Sequence, residues 1–200
     1  MQAARRSALF IALALFALLL TSSAKADNLV VNGGFETGDF TGWTVSGGAF
    51  DCGINGSGIS NVSPYSGVYS ACFGNPDGYT YISQYLATVP GQSYVLTVMI
   101  AQQPAGYTPD NSLVVDWNGS VLGGMSDIPV TSWIEGQTTM TATSSSTELT
   151  IGAWDEPGWI ALDDISVTTT TPEPASLVLC VTGLLLALLS VVRSRVSGCR

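Results

Sequence analysis

The sequence predicts an all-β protein over its central stretch, a β-sandwich of the jelly-roll kind. Three observations lead there. Short runs alternate apolar and polar residues, which is the period of a half-buried strand. Pro-Gly, Asn-Gly and Glu-Pro-Gly breaks separate those runs. No run inside this stretch repeats its apolar residues at the helical period. Many short strands joined by frequent turns mean a sandwich or jelly roll.

In chain order, Trp43 in the run Phe-Thr-Gly-Trp reads as core. Tyr79–Val89 alternates, with Tyr79, Tyr81, Ser83, Tyr85, Ala87 and Val89 on one face and Ile82 and Leu86 on the other. One of those faces must be core. If Ile82 and Leu86 point inward, the tyrosines form an exposed ladder suited to stacking on a sugar ring. Pro90-Gly91 ends the run, and Tyr94–Gln102 follows as a second. Ser112–Trp117 leads into Asn118-Gly119, whose tolerance of positive φ favours a type I′ turn, and Val121-Leu122 returns as the partner strand. Gln137–Thr143, Glu148–Trp154 and Trp159–Val167 complete the set. Glu156-Pro157-Gly158 joins the last two as a hairpin turn, flanked by Trp154 and Trp159, which would pack across it.

The two ends differ from this centre. Every basic residue lies there: Arg5, Arg6 and Lys25 at one end, Arg193, Arg195 and Arg200 at the other, with no His anywhere. Arg5 and Arg6, the apolar run from Ala8 to Leu20 and the small-x-small box Ala24-Lys25-Ala26 read as a secretory signal peptide over residues 1–26. Ala175–Val192 is uncharged and just long enough to cross a bilayer as a helix. The arginines after it favour a short basic cytoplasmic tail, residues 193–200. The expected organisation is therefore a sandwich over residues 27–167, a Thr/Pro linker over 168–174, a membrane helix and a tail.

All the acids except Glu173 fall between Asp27 and Thr171, where nothing basic balances them. That surplus of negative charge repels nucleic acid and anionic lipid, and suits divalent cations or neutral partners such as sugars. A stretch of about 145 residues is an ordinary single domain, able to fold on its core alone. Lack of His excludes a Ser-His-Asp or Cys-His site and a His metal site. Lack of Lys in the domain excludes a Schiff base. Carboxylate chemistry survives. For a glycosidase, Asp155 with Glu156, or Asp116 beside Trp117, are the conceivable acids; but adjacent carboxylates on a strand point to opposite faces and do not make a pair.

Cys52 and Cys72 lie in the exported stretch, where oxidation is expected. Pairing them would close a Gly-, Asn- and Ser-rich loop of about 20 residues, contributing ~3 kcal/mol. Cys180 falls in the apolar span and Cys199 in the tail.

The end of the chain, Thr-Pro-Glu-Pro-Ala followed by the apolar run and Arg193 and Arg195, resembles the PEP-CTERM sorting signal of Gram-negative bacteria. The resemblance implies that Pro172, Glu173 and Pro174 are recognition residues for an exosortase-type processing enzyme in the membrane. The prolines keep that box extended. A second resemblance spans the domain. Asn28–Gly48, containing Gly-Gly-Phe-Glu, and Trp159–Thr168, containing Leu-Asp-Asp-Ile, look like the first and last strands of the galactose-binding-like jelly roll common among carbohydrate-binding modules. This implies a structural Ca²⁺ between those strands, with Glu36 and one of Asp163 and Asp164 as ligands. Calcium takes hard oxygens, six to eight of them.

The expected function is that of an exported, non-enzymatic cell-surface or matrix protein, membrane-anchored until processed. The alternatives are a module for a neutral extracellular polysaccharide, bound on Tyr79, Tyr81 and Tyr85 or at Trp154 and Trp159, and, behind it, a small glycoside hydrolase.

Overall fold

The computed structural model describes residues 27–170, except Val62, Pro76, 104–109, Val130 and Pro157, together with Gly183. The signal peptide, the Pro172-Glu173-Pro174 box, the apolar span and the tail lie outside the described residues. Among the described residues no helix is long and apolar enough to cross a membrane.

Residues 27–170 fold as one unit of ten strands: β1 (Thr44–Gly47), β2 (Ile59–Ser60), β3 (Ser70–Phe73), β4 (Thr80–Ala87), β5 (Ser93–Gln103), β6 (Asp110–Trp117), β7 (Ser120–Ser126), β8 (Thr131–Thr141), β9 (Ser146–Glu156) and β10 (Trp159–Thr169). They form two five-stranded sheets, ordered β1-β4-β9-β6-β7 and β2-β3-β10-β5-β8. The pairings are antiparallel. This is the two-sheet sandwich that the alternating runs predict.

The period of two decides what is buried. In β4 every second residue, Thr80, Ile82, Gln84 and Leu86, is buried. In β9 Leu149, Ile151 and Ala153 do the same opposite them. From the second sheet Leu96, Ile100, Ile160 and Leu162 meet this layer and close the core. Each such aliphatic side chain contributes about 1.5–3 kcal/mol by leaving water.

Turns follow local chemistry where it is strong. Asn118 (φ 55°) and Gly119 (φ 80°) both take the left-handed conformation of a type I′ turn, and β6 and β7 pair around them. The Glu156-Pro157-Gly158 turn does not make the expected hairpin. β9 and β10 belong to different sheets, so the chain turns a corner across the sandwich there. Both flanking strands bury apolar residues, and a corner lets each face the core from opposite sides.

The segment before β1 is largely irregular. Leu29 N–H donates to the Val167 carbonyl (2.9 Å) and Ile165 N–H to the Gly33 carbonyl (2.9 Å), so it runs beside β10. Asn28 Oδ1 accepts from Val167 N–H at 2.9 Å, a side chain doing what a strand backbone would. Trp43 is buried, as its setting implies, stacked on Phe35 with centroids 6.1 Å apart.

Candidate carbohydrate-binding face and acidic cluster

β4 settles which of its faces is core. Ile82 and Leu86 point inward, Tyr81 is half-buried on the other side, and Tyr85 is 71% exposed. The tyrosines therefore stand on the outer face of the β1-β4-β9-β6-β7 sheet. Tyr79 and Tyr81 stack with centroids 5.7 Å apart and planes 22° from parallel. The Tyr79 hydroxyl donates to Ser112 Oγ on β6 at 2.7 Å, which fixes its ring. Tyr81 pairs with Gly152 of β9, and a Cβ at Gly152 would collide with the Tyr81 ring. That glycine lets the ring lie against the sheet.

Trp154 shares this outer face, since Thr150 and Glu148 alternate with the buried Ile151 and Leu149. The Thr80–Ala153 pair puts Trp154 across from Tyr79, one step beyond that pair. Four aromatics thus occupy one side: Tyr79, Tyr81 and Trp154 at one end, and Tyr85, paired with Glu148, at the other. Tyr81 and Tyr85 are separated by about 13 Å along the strand, long enough for an extended chain of rings. Ser83, Thr150 and Asp116 lie in register between them. The face offers stacking surfaces, hydroxyls and carboxylates, and no cation.

Trp159 does not join them. Its neighbours Ile160 and Leu162 enter the core from the second sheet, so Trp159 lies on the opposite outside of the sandwich. A Cβ at Gly74 would stand 3.2 Å from Trp159 Cβ and 3.7 Å from Cys52 Cβ, which places it near the disulfide. Pairing Trp154 with Trp159 across a hairpin is corrected by the corner between β9 and β10. Cys52 and Cys72 are bonded, with Cα atoms 6.1 Å apart.

The carboxylates considered for hydrolysis are dispersed. Asp155 is buried and Glu156 exposed, on opposite faces of β9. Asp116 Oδ1 accepts from Gly119 N–H at 2.7 Å and shapes the hairpin, while Trp117 turns into the core and donates Nε1–H to the Thr141 carbonyl.

Glu36, Asp163 and Asp164 do come together, around Gly34. A Cβ there would lie 3.3 Å from Asp164 Oδ1, 3.6 Å from Asp163 Oδ1 and 3.9 Å from Glu36 Cγ. The segment 65–69 folds over them. Asp163 Oδ2 accepts from the backbone N–H groups of Tyr65 (2.9 Å) and Ser66 (3.1 Å). Asp164 Oδ1 accepts from Ser66 Oγ at 2.9 Å. Glu36 accepts from Val68 N–H at 2.9 and 3.0 Å and from Tyr69 N–H at 3.0 Å. Gly67 (φ +61°) lies against the Glu36 carboxylate, where a Cβ would collide. Burial raises the Asp163 pKa; N–H donors from Ser66, Asp164 and Tyr65 oppose that rise, and the neighbouring Asp164 charge adds to it.

In kind, these donors fit calcium. Glu36 Oε2, Asp163 Oδ1 and the Asp164 carboxylate keep lone pairs beyond the bonds described, and all are hard oxygens. In spacing, no three acidic, His or Cys side chains among the described residues form a ready-made metal site. Sequence reasoning named the acids from resemblance but missed the segment that holds them; the turn-forming pair Ser66-Gly67 between Tyr65 and Val68 was the available signal.

An apolar cavity of about 260 Å³ lies between the sheets near β7 and β8, lined by Leu96, Val98, Ile100, Leu113 and Val115 among others.

Neither protein-family models nor curated proteins match the sequence. Solved structures do. The domain is similar to the carbohydrate-binding module TmCBM61, solved with β-1,4-galactotriose: TM-score 0.53, 19% identity, 72% of this chain and 99% of that one. It is similar to the CBM22-1 xylan-binding domain from Paenibacillus barcinonensis Xyn10C: TM-score 0.52, 15% identity, 76% of this chain and 100% of that one. It also resembles part of the enzymatically active domain of bacteriophage CBA120 tailspike protein 4: TM-score 0.51, 16% identity, 71% of this chain but 21% of that one. At such identities the likeness shows a shared fold. It is the fold of carbohydrate-binding modules, and it also occurs within an enzyme.

Proposed function

We propose that this domain is a non-catalytic carbohydrate-binding module that holds a neutral polysaccharide on the outer face of the β1-β4-β9-β6-β7 sheet. The observation that carries the reading is the aromatic platform of Tyr79, Tyr81, Trp154 and Tyr85, two of its rings stacked and one seated on Gly152. A sugar ring presents an apolar face edged with hydroxyls, which matches aromatic rings beside Ser83, Thr150 and Asp116. With no Lys, Arg or His in the domain, there is no fork to grip a phosphate or an anionic polymer. The ligands of the similar modules make β-1,4-galactan and xylan the first polymers to test.

Titration calorimetry with those polymers, and with Tyr81→Ala and Trp154→Ala, tests the platform. Either substitution should weaken binding at least tenfold, while Trp159→Ala leaves it unchanged. Loss on Trp159→Ala alone would move the site to the other face, and absence of binding to neutral glycans would reject the reading.

The same proposal extends to export. Residues 1–26 direct secretion, and the Pro172-Glu173-Pro174 box, apolar span and basic tail act as a sorting signal for an exosortase-type enzyme, which releases the module to the cell surface. The intact mass of the exported form tests this: it should begin at Asp27 and lack the apolar span. Calcium, held by Glu36, Asp163 and Asp164, would draw these acids together and brace the segment before β1 against β10.

A further inference from the structure

Asp155 plays no part in the proposed platform, yet it is among the most deeply placed charges of the domain. It projects from β9 into the space between the sheets, and Gln102 projects from β5 to meet it; Asp155 is 2% exposed and Gln102 1%. Gln102 Nε2–H donates to Asp155 Oδ2 at 3.3 Å. Among the described residues the other pole of each group has no partner: Gln102 Oε1 and Asp155 Oδ1 are both buried acceptors without a donor. Two such orphans in one pair are rare in folded proteins.

Among the described residues the surroundings offset the burial of this pair only in part. Asn111, opposite Asp155 on β6, is engaged at both poles by the Ile128 backbone, at 3.0 and 2.8 Å. No Lys, Arg or His exists in the domain to balance a buried charge. Asp110 on β6 adds a negative field, Glu156 is exposed on the other face of β9, and the Gly158 N–H favours the ionised form.

We infer that Asp155 keeps its proton in the folded protein and donates it from Oδ1 to Gln102 Oε1, closing a ring of two hydrogen bonds between acid and carboxamide. One proton satisfies both orphaned atoms. A neutral acid also removes the cost of burying an unpaired carboxylate. The direction of the electrostatics agrees: burial is the largest influence and raises the Asp155 pKa above its ordinary value of 3.8. The pair is a proton-held latch between the two sheets, at the end of β9 that carries Trp154.

The sign of the pH dependence follows. A carboxyl whose folded pKa stands above its unfolded one adds stability in full below the unfolded pKa, and that stability is lost as pH rises through the folded pKa. Each unit between the two midpoints is a tenfold tilt toward the folded state on protonation.

The test uses the full-length protein with ¹³C-labelled aspartate carboxyls, compared with Asp155→Asn. The resonance missing from the variant should titrate above the ordinary carboxylate value. The wild type should lose melting temperature relative to Asp155→Asn as pH rises through that midpoint, because the amide carries the same donor and acceptor without ionising. A midpoint at or below the ordinary value, or melting curves with the same pH dependence in both proteins, overturns the inference. So does an Asp155→Asn chain that fails to fold, since the amide reproduces the bonding of the neutral acid.

Discussion

Gly67→Ala probes whether the segment 65–69 is held by the acidic cluster. Two effects add. Gly67 has φ +61°, where a side chain costs about 1 kcal/mol. Its Cβ would also collide with the Glu36 carboxylate, 2.6 Å from Oε2, so that carboxylate must swing away. Swinging away breaks its bonds from Val68 and Tyr69 N–H. Hydrogen bonds to a charged group contribute ~1.5–3 kcal/mol, and exposure at Glu36 reduces this to about 1–2 kcal/mol. The total is about 2–3 kcal/mol, or roughly 5–10 °C in melting temperature for a domain of this size. Thermal melts of Gly67→Ala, Glu36→Ala and the double variant separate the two effects. With Glu36 removed, the alanine should cost only its backbone share, leaving a coupling of about 1–2 kcal/mol. Additive losses would show that Gly67 and Glu36 act independently and would refute the clamp.

Further outcomes are expected. Cys52→Ala with Cys72→Ala should destabilise the domain by ~3 kcal/mol, from the loop of 20 residues that the disulfide closes, as read by denaturant unfolding against the unreduced wild type. Asp39 has its pKa lowered by hydrogen bonds from Thr41 and Thr37, so its contribution is present above the ordinary carboxylate value and lost as pH falls through the folded pKa. Asp39→Asn should therefore melt below the wild type at pH 7 and converge with it in acid. If calcium sits at Glu36, Asp163 and Asp164, adding it at 100 times its dissociation constant should stabilise the domain by ~2.7 kcal/mol, reversed by chelator; a melting temperature indifferent to both would reject that site.

Local chemistry was readable directly. Asn118-Gly119 made its hairpin because positive φ is a property of those residues themselves. The alternation in β4 announced a strand with one buried face, and two cysteines in the central stretch left a single pairing there. Sequence alone therefore determined the fold class, the charge and the exclusion of His and Lys chemistry. Facing and convergence belonged to tertiary structure. Which side of β4 turned inward depended on β9 packing Ile151 and Leu149 beside Ile82. The corner after Glu156 sent Trp154 and Trp159 to opposite sides because the two strands joined different sheets. The meeting of Glu36 with Val68, of Asp163 with Tyr65, and of Asp155 with Gln102 spans 32, 98 and 53 residues of chain. No local pattern encodes such separations, because they arise only when antiparallel pairing and a shared core bring distant strands into register.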